Sequence, residues 1–413
     1  MERRVINMFK KIGAATIATL MLTTMLAGCE VNTKSGAPES DKLFERATEV
    51  KDSDNGYLDF VFNLSHECAE DDEENIVISP TSLLFMMEML GAGAKGNTLD
   101  EISSVMVPGV SNEEALGFVT EYYKDLDGDS VKAGNICYIN SDFDGALYKD
   151  YMTYIYENFD AELNVAKFND KTVKEINSKV DDMTDGMIPS AISDLNPSDN
   201  MVIINAICFD ERWKEEYKPG QIQDMIFNDL DGTKEPVAFM ISSEDYYFET
   251  DKATGIRKYY KGGDYAFIAI LPKDESISAN EFLRDFTAED YKEFLNSETK
   301  TDTQTYIPEF SCDFDCDLKS ILKKMGINDA FSEEDADFSN ISDKPLFISD
   351  VEQKAYIEVN RNGTRAAAVT RVGATSSGAI RNCVSLNRPF VYMIVDTETD
   401  TPLFIGSVNS ING

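Results

Sequence analysis

Histidine, tryptophan and positive charge are scarce in this chain of 413 residues, which contains one His, one Trp and 38 Lys and Arg residues. A Ser-His-Asp triad would have to use His66, which lies in a predicted helix beside Cys68, so such a triad is not expected. A metal site needs several His or Cys ligands close together, and one His with scattered Cys does not provide them. We predict neither a metal nor a cofactor.

The shortage of Lys and Arg also bears on partners. Against 75 Asp and Glu residues the formal net charge is −37. This argues against binding to nucleic acid or to an anionic membrane surface, because both need clustered positive charge. The acidic balance favours solubility outside the cell.

The seven cysteines do not have the spacing of a disulfide scaffold. Leaving aside Cys29, they are Cys68, Cys137, Cys208, Cys312, Cys316 and Cys383. Cys312 and Cys316 stand four positions apart in a predicted extended run, which is too far for one disulfide. We therefore predict thiols buried in the core.

The N-terminus has the pattern of an export signal. Basic residues over 3–11 precede a short apolar stretch from Ile12 to Met25, and Leu26-Ala27-Gly28-Cys29 follows. This ending resembles the bacterial lipobox, in which cleavage leaves a lipid-modified Cys at the N-terminus. We predict a lipoprotein signal peptide over 1–28, lipidation of Cys29, a polar tether over 29–51 and one domain over 52–413. The protein would then be an exported, cell-surface lipoprotein whose only membrane contact is the lipid; the alternative is an ordinary cleaved signal.

Helix and strand signals alternate along the domain, which predicts an α+β fold with large mixed sheets. The helix signals are apolar periodicity over 56–69, Ser79-Pro80 as a helix start, capping boxes at Thr98-Leu99-Asp100-Glu101 and Thr172-Val173-Lys174-Glu175, and a helix over Leu318–Met325 ending at Gly326. The strand signals are Met201–Phe209, Tyr265–Leu271, Phe390–Val395 and Pro402–Val408. Met201–Phe209 is apolar on both faces, so it should be a central strand, and its buried Asn205 must find polar partners.

Residues 363–381 do not fit this pattern of helices and strands. They lie between two strand-like runs, are too long for a hairpin and contain no large apolar residue before Ile380. If the segment is extended, one face carries Thr364, Ala366, Ala368, Thr370, Val372 and Ala374, and the other carries Arg365, Ala367, Val369, Arg371 and Gly373. One face is therefore small and uncharged throughout. The segment could be an exposed loop or a strand inserted with that face inward.

Five motifs together resemble the serpin family, in the family's order and over about residues 52–411. They are the hinge Gly363-Thr364-Arg365-Ala366-Ala367-Ala368, the helix start over 75–84 (NIVISPTSLL), the strand from Asn205-Ala206 to Trp213, Arg388-Pro389-Phe390, and Pro402-Leu403-Phe404-Ile405-Gly406. The resemblance implies a monomeric inhibitor that traps a serine protease as an acyl-enzyme. The reactive loop then inserts into the main sheet and distorts the protease.

The hinge and the loop length bear on how this inhibitor would act. Inhibitory serpins have small, uncharged residues at inward hinge positions, and Thr364, Ala366 and Ala368 satisfy that rule. The family's usual loop length places the reactive bond at Ser377–Gly378, with a shift to Gly378–Ala379 left open. A small residue there suits elastase-like or subtilisin-like proteases. Arg381 would suit a trypsin-like enzyme, but it lies further along the loop than the family's usual length places the reactive bond.

The resemblance also assigns two polar clusters to the main sheet. Ser79, Ser82, Asn205 and Gln353 form a group that governs sheet opening, with Gln353 standing where many serpins have His. Near Trp213, at the top of the sheet, Arg361 stands where the family usually has an acid, and Glu309 where relatives are often basic. We hypothesise a charge-swapped Arg361–Glu309 pair; the alternative is two exposed charges.

Other functions are less consistent with the sequence. Ser320-Ile321-Leu322-Lys323 and Ser198-Asp199-Asn200 match two motifs of penicillin-binding serine enzymes, but in reversed order and without a Lys-Thr-Gly element. A non-inhibitory binding module on the same fold remains the principal alternative. Residues 98–128, where relatives activated by polysaccharides have a basic helix, are acidic, so no heparin-type activator is expected.

Overall fold

The computed structural model describes residues 33–34, 53–126, 130–159, 161–364 and 382–411. Its helices are α1 (Ser53–Cys68), α2 (Pro80–Gly91), α3 (Gly96–Met106), α4 (Asn112–Asp125), α5 (Lys149–Phe159), α6 (Asp170–Met183), α7 (Ala279–Arg284), α8 (Ala288–Asn296) and α9 (Leu318–Met325). Short 3-10 turns occur at Pro219–Gln221 and Asp329–Phe331.

The strands divide between two large sheets and one small pair. They are β1 (Thr33–Lys34), β2 (Ile76–Ile78), β3 (Val131–Asn140), β4 (Leu147–Tyr148), β5 (Glu162–Ala166), β6 (Met201–Phe209), β7 (Glu211–Arg212), β8 (Ile222–Asn228), β9 (Lys234–Glu249), β10 (Ala253–Tyr259), β11 (Tyr265–Pro272), β12 (Thr299–Pro308), β13 (Phe310–Asp317), β14 (Asp350–Asn360), β15 (Gly363–Thr364), β16 (Asn382–Ser385), β17 (Phe390–Asp396) and β18 (Pro402–Val408). The α+β class predicted from the sequence is correct.

Of four predicted helix boundaries, one start and one end are correct and two starts are wrong. Ser79 caps α2 and α9 ends at Gly326, which has φ 122°, as the sequence predicts. Helix α3 instead begins at Gly96, and Thr98 lies buried inside it, where its hydroxyl accepts a hydrogen bond from the Asp337 amide at 3.0 Å.

The second wrong start is that of α6. The helix begins at Asp170 and is capped by Asn169, whose side chain accepts hydrogen bonds from the amides of Lys171 and Thr172. The Thr172 hydroxyl donates to the Lys167 carbonyl at 2.6 Å. Asn is as good an N-cap as Thr, and here it precedes the Thr by three positions, so the earlier residue starts the helix.

Over the described residues, the main sheet has seven strands in the order β5-β3-β6-β14-β15-β7, with β13 paired to β14. Strands β6 and β14 are parallel neighbours, and β13 runs antiparallel along β14. One end of this sheet lies at Phe209 and Thr364, and we call it the hinge pole. The other lies at Asn140 and Asp350, and we call it the far pole. The second sheet runs β16-β12-β9-β10-β11-β17-β18-β2, with β8 paired to β9.

Both faces of the main sheet are covered, which explains why every residue of β6 is buried and all but Asn205 are apolar. Helix α6 and the segment after it cover one face through Ile176, Val180 and Ile188. Helix α2 packs on the opposite face, and every one of its residues is buried. Within the described ranges no helix combines the length and hydropathy needed to cross a bilayer, and no cluster of His, Cys, Asp or Glu could hold a metal ion.

The cysteine prediction is correct for four thiols and wrong for one. Cys68, Cys137, Cys208 and Cys312 are buried and form no disulfide, and the side chain of Cys316 lies outside the described residues. Cys383 is free and exposed, because β16 is the terminal strand of the second sheet and only Val384 within it is buried. The strand predicted around Cys312 is present as β13.

Candidate functional site

The candidate site is built around the junction of β6 and β14, which we call the seam. The two strands pair directly in parallel from Val202 opposite Asp350 to Cys208 opposite Tyr356. Towards the hinge pole the pairing stops, although β14 continues to Asn360 alongside β13. Beyond Cys208 and Tyr356, at the hinge-pole end of the seam, β6 and β14 no longer pair directly.

Strand β15 fills the upper end of the seam. Gly363 and Thr364 pair antiparallel with Asn360 and Val359 of β14 on one side. On the other side they pair antiparallel with Arg212 and Glu211 of β7, which continues the line of β6. The first two hinge residues thus already occupy the position of a strand between the two halves of the main sheet.

The residue types at 363 and 364 suit this narrow position. A Cβ on residue 363 would collide with the carbonyl oxygen of Glu211 and with the backbone of Arg212, so only glycine fits there. Thr364 is fully buried, and its hydroxyl lies 2.6 Å from the Tyr260 hydroxyl. The remaining hinge residues Arg365, Ala366, Ala367 and Ala368, the predicted reactive bond Ser377–Gly378, and Cys29 lie outside the described residues.

A row of three amide side chains crosses the seam halfway along its length. Asn135 of β3 is opposite Asn205 of β6, which is opposite Gln353 of β14. Asn205 donates to the Asn135 side-chain oxygen at 2.8 Å, and Gln353 donates to the Asn205 side-chain oxygen at 2.9 Å. All three residues are buried, so each bond is protected from water.

The amide row is tied to the start of helix α2. The Gln353 amide group donates to the Ser79 carbonyl at 3.2 Å, and the Asn205 amide group donates to the Ser82 hydroxyl. Ser79 in turn donates through its hydroxyl to the Leu403 carbonyl at 2.7 Å. The four predicted cluster residues therefore meet, and Asn135 is a fifth member that the sequence reasoning missed. Asn135 precedes the apolar run Ile136–Ile139 of β3, a weaker signal than that of Asn205 within β6.

The predicted pair at the hinge pole is present. The Arg361 guanidinium binds the Glu309 carboxylate through two nitrogens, at 2.7 and 2.6 Å, and the Arg361 amide donates to the same carboxylate at 2.9 Å. The pair joins the turn between β12 and β13 to the turn between β14 and β15. Its side chains are 45% and 20% exposed, so water screens the attraction in part.

Trp213 joins β7 to the second sheet at the same pole. Its ring stacks on Tyr260 with centroids 4.5 Å apart, and its indole nitrogen donates to the Asn360 carbonyl at 2.8 Å. Lys258 lies 5.3 Å from the Trp213 ring and is paired with Glu244 at 2.8 Å. Burial lowers the pKa of Lys258, but the neighbouring Tyr217 and Glu244 outweigh it and raise that pKa overall. Sequence reasoning missed Tyr260 and Lys258, because neither belongs to a motif.

A cleft of about 820 Å³ opens at the hinge pole, beside Arg212 and Arg361. The residues that line it include Glu211, Glu358, Arg361 and Asn360, the last residue of β14.

Comparison with known proteins points to the family that the sequence motifs resemble. A family model described as serpin (serine protease inhibitor) matches residues 55–411. Human serpin B10 is 29% identical over 398 residues, covering 85% of this chain and 97% of that protein. The native-state structure of tengpin, a thermophilic serpin, is 31% identical with a TM-score of 0.82 and covers 92% of this chain and 97% of that one. The latent-state structure of tengpin has a TM-score of 0.76 at 30% identity, covering 88% and 99%. The chain belongs to the serpin family.

Proposed function

We propose that this serpin inhibits serine proteases by covalent trapping. A target protease cleaves the loop over 365–381 as a substrate and forms an acyl-enzyme. The loop then enters the seam as a new strand and carries the bound protease with it. The position of β15 is the observation that carries this proposal, since Gly363 and Thr364 already lie between β14 and β7 in the antiparallel sense that a full insertion would continue.

The strand pairing supplies a driving force for insertion. The seam is a parallel ladder, and insertion would replace it with two antiparallel ladders, which are slightly more stable per residue. Roughly ten new backbone hydrogen bonds at about 0.5–1.5 kcal/mol each, plus burial of the small face, could supply on the order of 10 kcal/mol. The amide row must break first, so it sets a barrier that holds the uncleaved chain closed.

The loop sequence favours a target with a shallow pocket. We place the reactive bond at Ser377–Gly378, with Gly378–Ala379 as the neighbouring alternative. Small residues at these positions suit elastase-like or subtilisin-like proteases. Sequencing the loop after reaction with an elastase, a subtilisin and a trypsin would locate the bond and rank the three enzymes.

The insertion mechanism is tested by two matched substitutions. Ala366→Arg puts a charge on the face that must turn inward, whereas Ala367→Arg puts the same charge on the outward face. We expect the unmodified chain and Ala367→Arg to form an SDS-resistant complex with the protease, and Ala366→Arg to be cleaved without trapping it. If the unmodified chain is cleaved with neither a complex nor thermal stabilisation, the protein is a non-inhibitory binding module.

We propose in addition that the mature chain is held at the cell surface by lipid on Cys29. The lipobox-like sequence over 26–29 supports this. Incorporation of labelled palmitate in a bacterial host, and its loss in Cys29→Ser, would test it. An unlabelled parent chain would indicate an ordinary secretory signal instead.

A further inference from the structure

A short strand links the N-terminal segment to the body of the protein. Thr33 and Lys34 form β1, which pairs in parallel with Leu147 and Tyr148 of β4. These two residues are separated from the start of α1 at Ser53 by 18 positions, over 35–52. The sequence analysis assigns them only to a polar tether over 29–51.

Strand β4 is fixed to the body on its opposite side. The Tyr148 amide donates to the Ile341 carbonyl at 2.9 Å, and Leu147 forms a bridge with Ser342. The Ala146 amide donates to the Asp343 carboxylate at 2.7 Å. Leu147 and Tyr148 are both buried, so β1 adds to the edge of a rigid ribbon.

This ribbon lies at the far pole of the main sheet. Strand β3 runs from the hinge pole, where Val131 is opposite Phe209, to Asn140 at the far pole, and β4 follows seven positions later. Helix α5 then rises for eleven residues, about 16 Å, and β5 brings the chain back to Ala166 opposite Asn140. The nine residues of β6 put roughly 30 Å between the two poles.

Charge and covalent geometry then fix the orientation of the anchored molecule. Cys29 precedes Thr33 by four positions, so it can lie at most about 14 Å from β1. The net charge of −37 keeps the rest of the surface from binding an anionic membrane. We propose that β1 docks the N-terminal segment at the far pole, so that the lipid-anchored chain holds its hinge pole and reactive loop away from the membrane. This inference rests on the proposed lipid anchor.

Trp213 is a natural distance probe for this test, because it is the only Trp in the chain and lies at the hinge pole. The chain over 29–413 would be coupled through the Cys29 thiol to a maleimide lipid in phosphatidylcholine vesicles that also contain a dansyl-headgroup lipid. Cys316→Ser and Cys383→Ser restrict coupling to Cys29, since the other thiols are buried. Energy transfer from Trp213 to dansyl reports the height of the hinge pole above the bilayer. Chemical coupling makes the result independent of cellular lipidation and of protease inhibition.

The test variant is Thr33→Pro with Lys34→Pro, which removes the β1 amide donors. Its matched control is Thr48→Pro with Lys42→Pro, which makes the same two changes elsewhere in the N-terminal segment. We expect weak energy transfer from Trp213 to dansyl in the parent chain and in the control variant. In the test variant transfer should rise about twofold or more, because 24 undocked residues from Cys29 to Ser53 let either pole approach the bilayer.

Amide hydrogen exchange gives a second readout on the same samples. Exchange over 145–149 should be faster in the test variant than in the control, because the β4 edge has lost its partner. Strong transfer in the parent, or equal transfer and equal exchange in all three chains, would overturn the proposal.

Discussion

At the scale of single residues, the amide row joins β3, β6 and β14 by side-chain hydrogen bonds, and it contains no group that titrates near neutral pH. Gln353 is 2% exposed and bonds to both Asn205 and Ser79. Amides keep the same donors and acceptors at every physiological pH. The seam should therefore be held equally well in acidic and neutral surroundings.

Replacing Gln353 with His should make the seam sensitive to pH. Burial disfavours the charged imidazole, which depresses its pKa below the value of about 6.5 in the unfolded chain. Below that pH the unfolded chain binds a proton that the folded chain does not, so stability is lost as pH falls. We expect the free energy of unfolding of Gln353→His, relative to the parent, to drop by about 1 kcal/mol or more between pH 7.5 and 5.5. A difference that stays constant over this range would contradict the expectation.

Glu88 is a second residue whose surroundings matter, because its burial changes the pKa of its carboxyl group. It lies in α2, where every residue is buried, and its two carboxylate oxygens have no hydrogen-bond partner among the described residues. Burial raises the pKa of its carboxyl group to about 8. The folded chain thus keeps Glu88 protonated at neutral pH.

The pH dependence of stability should reveal this buried acid. In the unfolded chain Glu88 ionises near 4.5, so the free energy of unfolding falls as pH rises from 4.5 and levels off near 8. The loss by pH 7 is on the order of a few kcal/mol. In Glu88→Gln this slope should disappear, which denaturant titrations at pH 5 and pH 8 would measure. The exposed Glu113→Gln is the control and should keep the slope of the parent; a slope retained in Glu88→Gln would assign it to other groups.

At the scale of elements, the Arg361–Glu309 pair links the turn between β12 and β13 to the turn between β14 and β15. Its bidentate geometry and the added bond from the Arg361 amide make it stronger than a single surface contact. Exposure limits its contribution to about 1 kcal/mol. The two charges are the reverse of those expected from the family resemblance.

Charge reversal tests the pair directly. Arg361→Glu and Glu309→Arg should each lower the free energy of unfolding, because each places two like charges together. The double variant should recover about 0.5–1 kcal/mol of the summed loss, which a double-mutant cycle from urea titrations would report. Purely additive losses would mean that the contact contributes no stability.

Elements were predictable from the sequence where local chemistry decides them. The apolar run over 201–209 could only be a doubly covered strand, and Ser79-Pro80 and Gly326 set helix ends by backbone chemistry. The prediction was wrong at Thr98 and Thr172, because both hydroxyls serve other contacts and a neighbouring residue starts the helix. Cys383 was misplaced because strand order, which the sequence does not reveal, makes β16 an edge.

At the scale of the whole molecule, the partners of the hinge could not be predicted. The sequence shows that 364, 366 and 368 share a small face, but not that Thr364 meets Tyr260, which directly follows β10 of the second sheet. Residues 260 and 364 meet only because β7 and Trp213 bring the two sheets together at one pole. Such long-range contacts depend on the complete topology and leave no local signal.

The two poles lead to a last prediction about the trapped protease. From Thr364 to Ser377 the loop has 13 steps, about 43 Å when extended, whereas β14 from Asn360 to Asp350 has ten, about 33 Å. A fully inserted loop would therefore deliver the acyl-linked protease beyond Asp350, to the far pole where β1 docks on β4. Both cannot occupy that place, so complex formation should displace β1 and lengthen the free tether.

Hydrogen exchange over 145–149 would detect this displacement. We expect faster exchange in the covalent complex than in the uncleaved chain. The control is the chain nicked in the loop without a bound protease, in which the loop is inserted but nothing covers the far pole, and its β4 amides should stay protected. Equal protection in the complex and in the nicked chain would mean that the protease stops short of the far pole, and insertion would then be incomplete. If β1 is displaced, the 24 positions from Cys29 to Ser53 can span up to roughly 80 Å. The longer tether would let the protease fit between the domain and the bilayer.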